Sequence, residues 1–399
     1  MKKMADMKKK YGANAAVLLV AAIIFAALLI YASPEKEEGI EASEYAEYEK
    51  GKVLNVLSDA TEADELSDGA SRGEQLLTVL VQSGQYKGEE LLVNNYVGPL
   101  YGVAVEEGDS VTMIISTYEG GEHRAVIYEY NRIPALVAAI IAFLLATLLI
   151  GGKTGMRSMI GLIFTIVCLF FILIPLLIKG APTIPTVFLV CAYIAAVSFT
   201  LIGGVSRKSV SAFLGTLAGT LLAALFGLAA QSLARIDGMR ISEIEPLLQL
   251  RQTGTPIGLR GLLIAGVIIS SLGAVMDVAM SISSALEEVH AANKSLSSRE
   301  LFKSGMNIGR DMVGTMTNTL ILAFLGSGFT LIIYLYSLGL SFYQLLPSAY
   351  VAIEVISGIS SSTGMILAIP LTVVISSLLI KRGEGSPLKR GGDSPLKRK

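Results

Sequence analysis

The chain has 399 residues, 52% of them apolar and only 16% charged, and its mean hydropathy is +0.62. That balance belongs to a multispanning membrane protein and excludes a soluble fold. The formal net charge of -1 arises from charges segregated by region, not from one basic surface, so nothing in it points to nucleic acid.

Residues 1–10 are basic, and 12–31 form an apolar run of about the 20 residues that cross a bilayer as a helix. A cleaved signal peptide is the alternative reading. The run is longer than the usual signal core of about 7–15 residues, and Tyr31-Ala-Ser-Pro34 is only a passable cleavage site, which favours a retained anchor over 1–33. From 34 to 131 the composition becomes that of a soluble domain, opening with an acidic linker at 35–50. Alternating or β-branched stretches predict strands at 52–57, 75–82, 89–94, 110–117 and 123–130, separated by Gly-, Asp- and Glu-rich turns. Five short strands suggest a small all-β, OB-like barrel. The domain is acidic and has no basic-aromatic groove, which disfavours the oligonucleotide binding best known for such barrels.

Seven further apolar segments follow, at 133–150, 159–178, 184–204, 210–233, 261–286, 313–338 and 349–380, making about eight transmembrane helices with the first and a seven-helix bundle over 132–382. The basic N-terminus, Lys153 and Arg157, Arg207 and Lys208, the 294–310 loop and the basic tail all fall on one side, the cytoplasmic side by the positive-inside rule. Alternation then puts both termini in the cytoplasm and the β domain outside. The tail, 383–399, repeats Ser-Pro-Leu-Lys-Arg and reads as disordered beside the anionic leaflet. Cys168 and Cys191 both lie in apolar runs, and His123 and His290 have no neighbours at ligand spacing, so neither a metal site nor a cofactor is expected.

Two spans carry one pattern, Asp277-Val-Ala-Met-Ser-Ile-Ser-Ser284 and Glu354-Val-Ile-Ser-Gly-Ile-Ser-Ser361. An acid deep in a membrane helix costs roughly 2.5–3.5 kcal/mol on insertion scales, so it is expected to face protein or a wet cavity. Helical spacing puts Asp277, Ser281 and Ser284 on one face, and Glu354, Gly358 and Ser361 on another. Carboxylates beside hydroxyls suit cation or proton coupling. The structural alternative is a pairing that holds helices together. Asn318, with Thr315 and Thr319 beside it, is an equally balanced candidate for the pathway or for helix packing. The Ser- and Gly-rich stretch 357–364 suits either close packing or an unwound ligand site. Asp311, after Arg310, reads as an interfacial ion pair or helix start.

The preceding helices align as well, Thr216 to Gly227 with Thr315 to Gly326 and Arg207 with Arg310, which suggests a parallel hairpin repeat over 206–288 and 310–382. Asp277 comes late in its span and Glu354 early. A superimposable repeat therefore needs a broken helix at 261–270 or 358–364, or else the duplication is partly chance.

Gly273-Ala-Val-Met-Asp-Val-Ala279, the stretch from Glu300 to Asp311 and the stretch from Gly314 to Ala323 closely resemble the YibE/F-like family of bacterial multipass membrane proteins. The resemblance covers nearly the whole chain, the basic tail excepted, and implies an anchor, an outer β domain and a helical bundle. It implies a permease-like protein without naming a substrate.

The expected function is therefore an ion- or proton-coupled secondary transporter for an unknown small solute or ion, with the bilayer as its constant partner. Asp277 and Glu354 are the coupling acids; Ser281, Ser284, Asn318, Gly358 and Ser361 line the path. A channel would use the same acids as a selectivity ring. A non-transporting scaffold or sensor would bind a protein partner through the outer domain. A homo-oligomer is admitted by small-residue stripes such as Gly215 and Gly219, which intrachain packing explains equally well. No enzyme is expected: no span holds a histidine base, and there is no Walker A pattern.

Overall fold

The computed structural model describes residues 2–32, 46–117, 123–236, 239 and 244–382. The first part of the expected acidic linker and the basic tail lie outside the described residues. The chain is mostly helical and forms two compact units, one from Met1–Pro34 with Gly151–Lys399 and one from Glu35–Ile150.

The first helix, α1, is Lys2–Ala32. The β unit then contains β1 (Ala46–Asp59), the short β2 (Glu62–Asp64), β3 (Ala70–Val81), β4 (Glu90–Val97), β5 (Ser110–Thr117) and β6 (His123–Tyr130). All pairings are antiparallel: β1 lies between β3 and β5, β4 flanks β3, and β6 flanks β5. β1 pairs with β5 through its first half and with β3 through its second. The exchange occurs at Gly51, where an added methyl would lie 2.7 Å from Val79 and 2.8 Å from Met113 Sδ. Two bulges in β1 increase the local bend.

Alternation along the strands directs Leu77, Val79, Val81, Val93, Met113 and Ile115 into one core. Its buried polar groups are satisfied. Gln75 Oε1 accepts from the Asn95 amide and the Val105 N–H, each at 3.0 Å, and Gln75 Nε2 donates to Asp59 at 2.9 Å. The sheet curls into a half-barrel and is not a closed OB barrel. Among the described residues no ladder joins β4 to β6, which instead border a cavity of about 270 Å³.

Helix α2 spans Ile133–Cys168, continues through a π-helical turn at Leu169–Leu173 into α3 (Ile174–Ile178), and is interrupted only at Gly152, whose φ of 52° and ψ of −133° are not helical. The sequence predicts two spans here; the structure shows one helix of two limbs that part at Gly152. Then come α4 (Thr183–Gly203), α5 (Arg207–Leu233), α6 (Ile244–Gln252), α7 (Leu262–Ala292), α8 (Ser298–Ser327), α9 (Phe329–Ser337), α10 (Phe342–Leu345) and α11 (Ala349–Arg382). Among the described residues, six helical segments are long and apolar enough to cross a membrane. Counting the α8–α9 pair, bent by 58° at Gly328, gives seven, against the eight expected.

Helices α5, α7 and α11 form the centre of this unit, with α8 against α7 and α11 and with α4 against α5 and α7. The α5–α11 contact is a ladder of small residues. Methyls added to Gly215, Gly219 and Gly364 would strike Thr372, Ala368 and Ala223 at 2.1, 2.5 and 2.4 Å. Backbone approach this close needs small side chains on both helices at four-residue spacing, which Ser211-Gly215-Gly219-Ala223-Gly227 and Ser360-Gly364-Ala368-Thr372-Ser376 supply. Gly215 and Gly219 are thus used within the chain, and they lend no support to an oligomer.

One end of the unit gathers the basic segments. The Val205 N–H donates to Asn14 Oδ1 at 2.8 Å beside Arg207, and Lys381 Nζ donates to the Lys294 carbonyl at 3.3 Å. At the other end Lys179 donates to the Tyr31 carbonyl at 2.7 Å, and Thr183 donates to that of Gly258 at 2.9 Å.

Candidate functional site

The two acidic motifs lie in different surroundings. In α7, Asp277 and Ser281 are exposed on the outer face and Ser284 is half-buried, because Val275, Val278, Ala279 and Ile282 take the core-facing positions. In α11, Glu354 is half-buried, Gly358 is buried and Ser361 is fully buried. Ser361 Oγ lies 2.8 Å from Ser270 Oγ of α7.

The two acids also differ in level along the bundle. Ser283 meets Ser376 at 3.1 Å and Ser270 meets Ser361, separations of 93 and 91 residues, so Glu354 is level with about Leu262 of α7. It stands about 15 residues from the level of Asp277, which is roughly 20 Å at 1.5 Å per residue. Both α7 and α11 are continuous helices, so neither of the breaks that would have equalised the acids exists, and 357–364 is not unwound.

Glu354 is brought to the α8–α9 bend. There a cavity of about 360 Å³ is lined by Phe324, Gly328, Leu331, Leu335, Val351, Gly358 and further aliphatic side chains, with Glu354 the only ionisable lining residue. Two glycines shape it. The Glu354 side chain passes Gly328, where an added methyl would lie 3.8 Å from Cγ, and Gly358 lets the Phe324 ring approach to 3.4 Å of the same kind of methyl.

Asn318 is exposed on α8, half a turn round from the buried Gly305 and Gly309, and so does not join the cavity. Thr315 and Thr319 donate to carbonyls of their own helix, at 3.2 and 3.0 Å. Asp311 is neither a helix start nor, among the described residues, part of an ion pair at the edge: α8 begins at Ser298 with a capping box between Ser297 and Glu300.

Sequence reasoning missed a set of buried hydroxyls. Ser211 donates to Ser283 at 3.1 Å, and Ser283 meets Ser376. Thr216 and Thr220 of α5 and Ser360, Ser362, Thr372 and Ser377 of α11 are also buried with no hydrogen-bond partner among the described residues. The four-residue small ladders were the available signal for Ser211, Ser360, Thr372 and Ser376. A hydroxyl left unpaired in the interior is costly, so these groups offset part of the stability that close helix packing supplies.

The family model described as YibE/F-like protein matches residues 139–382, more than half of the chain. The chain belongs to that family. The match takes in every acid and hydroxyl of the helical unit discussed above and starts after the last strand, β6. No curated protein and no solved structure matches the chain.

Proposed function

We propose that this YibE/F-like protein is an eight-span secondary transporter of the bacterial inner membrane, driven by protons or cations, with both termini in the cytoplasm and the β unit outside. The observation that carries the reading is Glu354 in an otherwise apolar cavity at the break between α8 and α9. A carboxylate kept in such a place is poorly solvated when charged, so taking up a proton or cation changes the stability of the surrounding helix arrangement. Broken membrane helices recur at transporter binding sites for the same reason: the break frees backbone groups and gives the wall a hinge.

The gathering of Arg207, Lys294 and Lys381 at one end supports that end as cytoplasmic. The first limb of α2, apolar and largely exposed, supplies the eighth crossing. Glu354 is the primary coupling acid, with Gly358 and Ser361 beside it. Asp277, with Ser281 and Ser284, is a second acid acting from the outer face of α7, and Asn318 acts from that of α8.

The test is current from purified protein in proteoliposomes on a solid-supported membrane under proton and cation gradients. Glu354→Gln should abolish the gradient-driven current, and Asp277→Asn should reduce it. Equal background traces from wild type and both variants would defeat the reading.

A further inference from the structure

The first turns of α8, at the basic end of the helical unit, carry a groove that the transport reading does not use. Arg299, Lys303, Met306 and Arg310 follow one another at spacings of four, three and four residues and so share a helix face. With Phe302 and Asn307 they border a cavity of about 620 Å³. Arg299, Lys303, Asn307 and Arg310 are all exposed, and among the described residues none of the three cations is in an ion pair. Glu300, the one acid in the wall, accepts from the Ser297 N–H and hydroxyl, each at 2.8 Å, and so is occupied in capping its own helix. The groove is thus positive around its opening.

Its occupant has to be anionic at one end and apolar at the other. Beyond Arg310 the flank of α8 that carries Met306 continues through Val313 and Leu320, seven and fourteen residues on, both packed at the edge of the helical core, and through the exposed Ile321. A free phosphate compound would meet the cations and leave that apolar run uncovered. The chain's own tail, 383–399, carries the same sign as the groove and is repelled by it. We propose that the groove binds the phosphate head group of an anionic phospholipid from the leaflet at the basic end, with the phosphodiester between Lys303 and Arg310, Asn307 donating to it, and an acyl chain running past Val313 toward Ile321. The proposal rests on α8 and α9 lying in a bilayer and on no role for the Glu354 cavity. Basic side chains gathered at a membrane surface favour anionic lipid by about fivefold each, which makes three of them on one face a selective site.

The chain contains no tryptophan, so one introduced residue reports on one place. Ile321→Trp puts an indole on the face of Arg310, eleven residues or about 16 Å along the helix from it, within reach of bromines placed in mid-chain. Leu189→Trp, on the exposed face of α4, serves as the reference. The full chain is reconstituted in phosphatidylcholine vesicles in which a rising share of the lipid is replaced by brominated phosphatidylglycerol or by brominated phosphatidylcholine. The expected result is quenching of Ile321→Trp at about fivefold lower proportions of the anionic lipid than of the zwitterionic one, with no such preference at Leu189→Trp. In the Ile321→Trp chain, Lys303→Gln together with Arg310→Gln should bring the preference close to unity, and Lys303→Arg should keep it. Loss of cations here also weakens the topology signal, so Asn307→Glu tests the groove with every cation in place: a carboxylate between Lys303 and Arg310 should remove the preference as well.

Equal quenching of Ile321→Trp by the two lipids, or a preference that Leu189→Trp shares, overturns the inference. So does a preference that survives both Asn307→Glu and the paired neutralisation. A preference abolished by an excess of glycerol phosphate, which has the head-group chemistry without the chains, would give the groove to a soluble phosphate compound and overturn the lipid. Quenching of neither tryptophan by either lipid would defeat the membrane placement and the inference with it. A preference with the expected dependence on Lys303 and Arg310, in a protein that carries no gradient-driven current, would uphold the groove and defeat only transport.

Discussion

Asp277 and Glu354 begin octapeptides of nearly the same pattern, yet one motif lies along an outer helix face and the other penetrates the bundle. The difference arises from the neighbours. The face of α7 that carries Asp277 also carries Gly266 and Gly273, and nothing lies within 4 Å of a methyl added to either. The face of α11 that follows Glu354 meets Phe324 at Gly358, α7 at Ser361 and α5 at Gly364. A local motif states which groups are available, while the partner helices decide whether they are buried. The first motif therefore lies on an open face of its helix, and the second is packed between helices.

The largest expected effect breaks that contrast at its glycines. Gly364→Val forces a side chain against Ala223 and the Gly219 carbonyl, where a methyl would already stand at 2.4 and 2.8 Å. Overpacking of backbone against backbone of this kind should cost about 3 kcal/mol or more. Gly273→Val meets open space and should change stability by less than about 1 kcal/mol, its helix propensity being slightly better than glycine's. Thermal unfolding of the two variants in one detergent measures the gap. Equal midpoints would show that α5 and α11 do not pack through this ladder.

That ladder also marks where sequence reading stopped. The strands were legible because alternation at period 2 survives in Gln75 to Val81 and Ser110 to Thr117, and the apolar runs needed only length and composition. The extension of β1 back to Ala46 was hidden in an acidic stretch, and the open edge between β4 and β6 depends on register, which no single strand encodes. The start of α8 is legible in Ser297-Ser-Arg-Glu300 as a capping box, although its polar first turns do not resemble a span. Both acids were visible as anomalies in apolar surroundings. Their difference in level was legible too, Asp277 coming late in its span and Glu354 early, whereas its size of about 15 residues follows from serine contacts between helices distant in sequence.

A smaller effect sharpens the same contrast at the serines. Ser270 and Ser361 share a bond of 2.8 Å, while Ser281 faces outward. A double-mutant cycle on Ser270→Ala and Ser361→Ala should give a coupling of about 0.6 kcal/mol, as interhelical hydrogen bonds in membranes do, and Ser281→Ala should cost almost nothing. A larger penalty for Ser281 than for Ser361 would invert the assignment of inner and outer faces.

The smallest effect comes from a third carboxylate, which serves as the control because its partners are all in place. Asp59, at the end of β1, accepts from the Thr61 hydroxyl at 2.7 Å, the Gln75 amide at 2.9 Å and the Thr61 N–H at 2.9 Å. Those donors, the Thr61 hydroxyl foremost, hold its pKa below the ordinary 3.8. A carboxylate depressed by folding binds its proton more weakly in the native state, so the unfolded state carries more protons in that range and stability falls with falling pH. The contribution is fully present above about pH 4, the unfolded value, and disappears as pH drops through the lower native one. Hydrogen-exchange protection of the Thr61 and Val105 amides in the full chain, corrected for intrinsic rates, should therefore decline below about pH 4 in wild type and decline less in Asp59→Asn. Because Gln75 bonds both Asp59 and the Val105 backbone, a loss confined to Thr61 would mean that the carboxylate orders only its own turn, whereas loss at both would show one acid tying β1, β3 and the loop between β4 and β5 together.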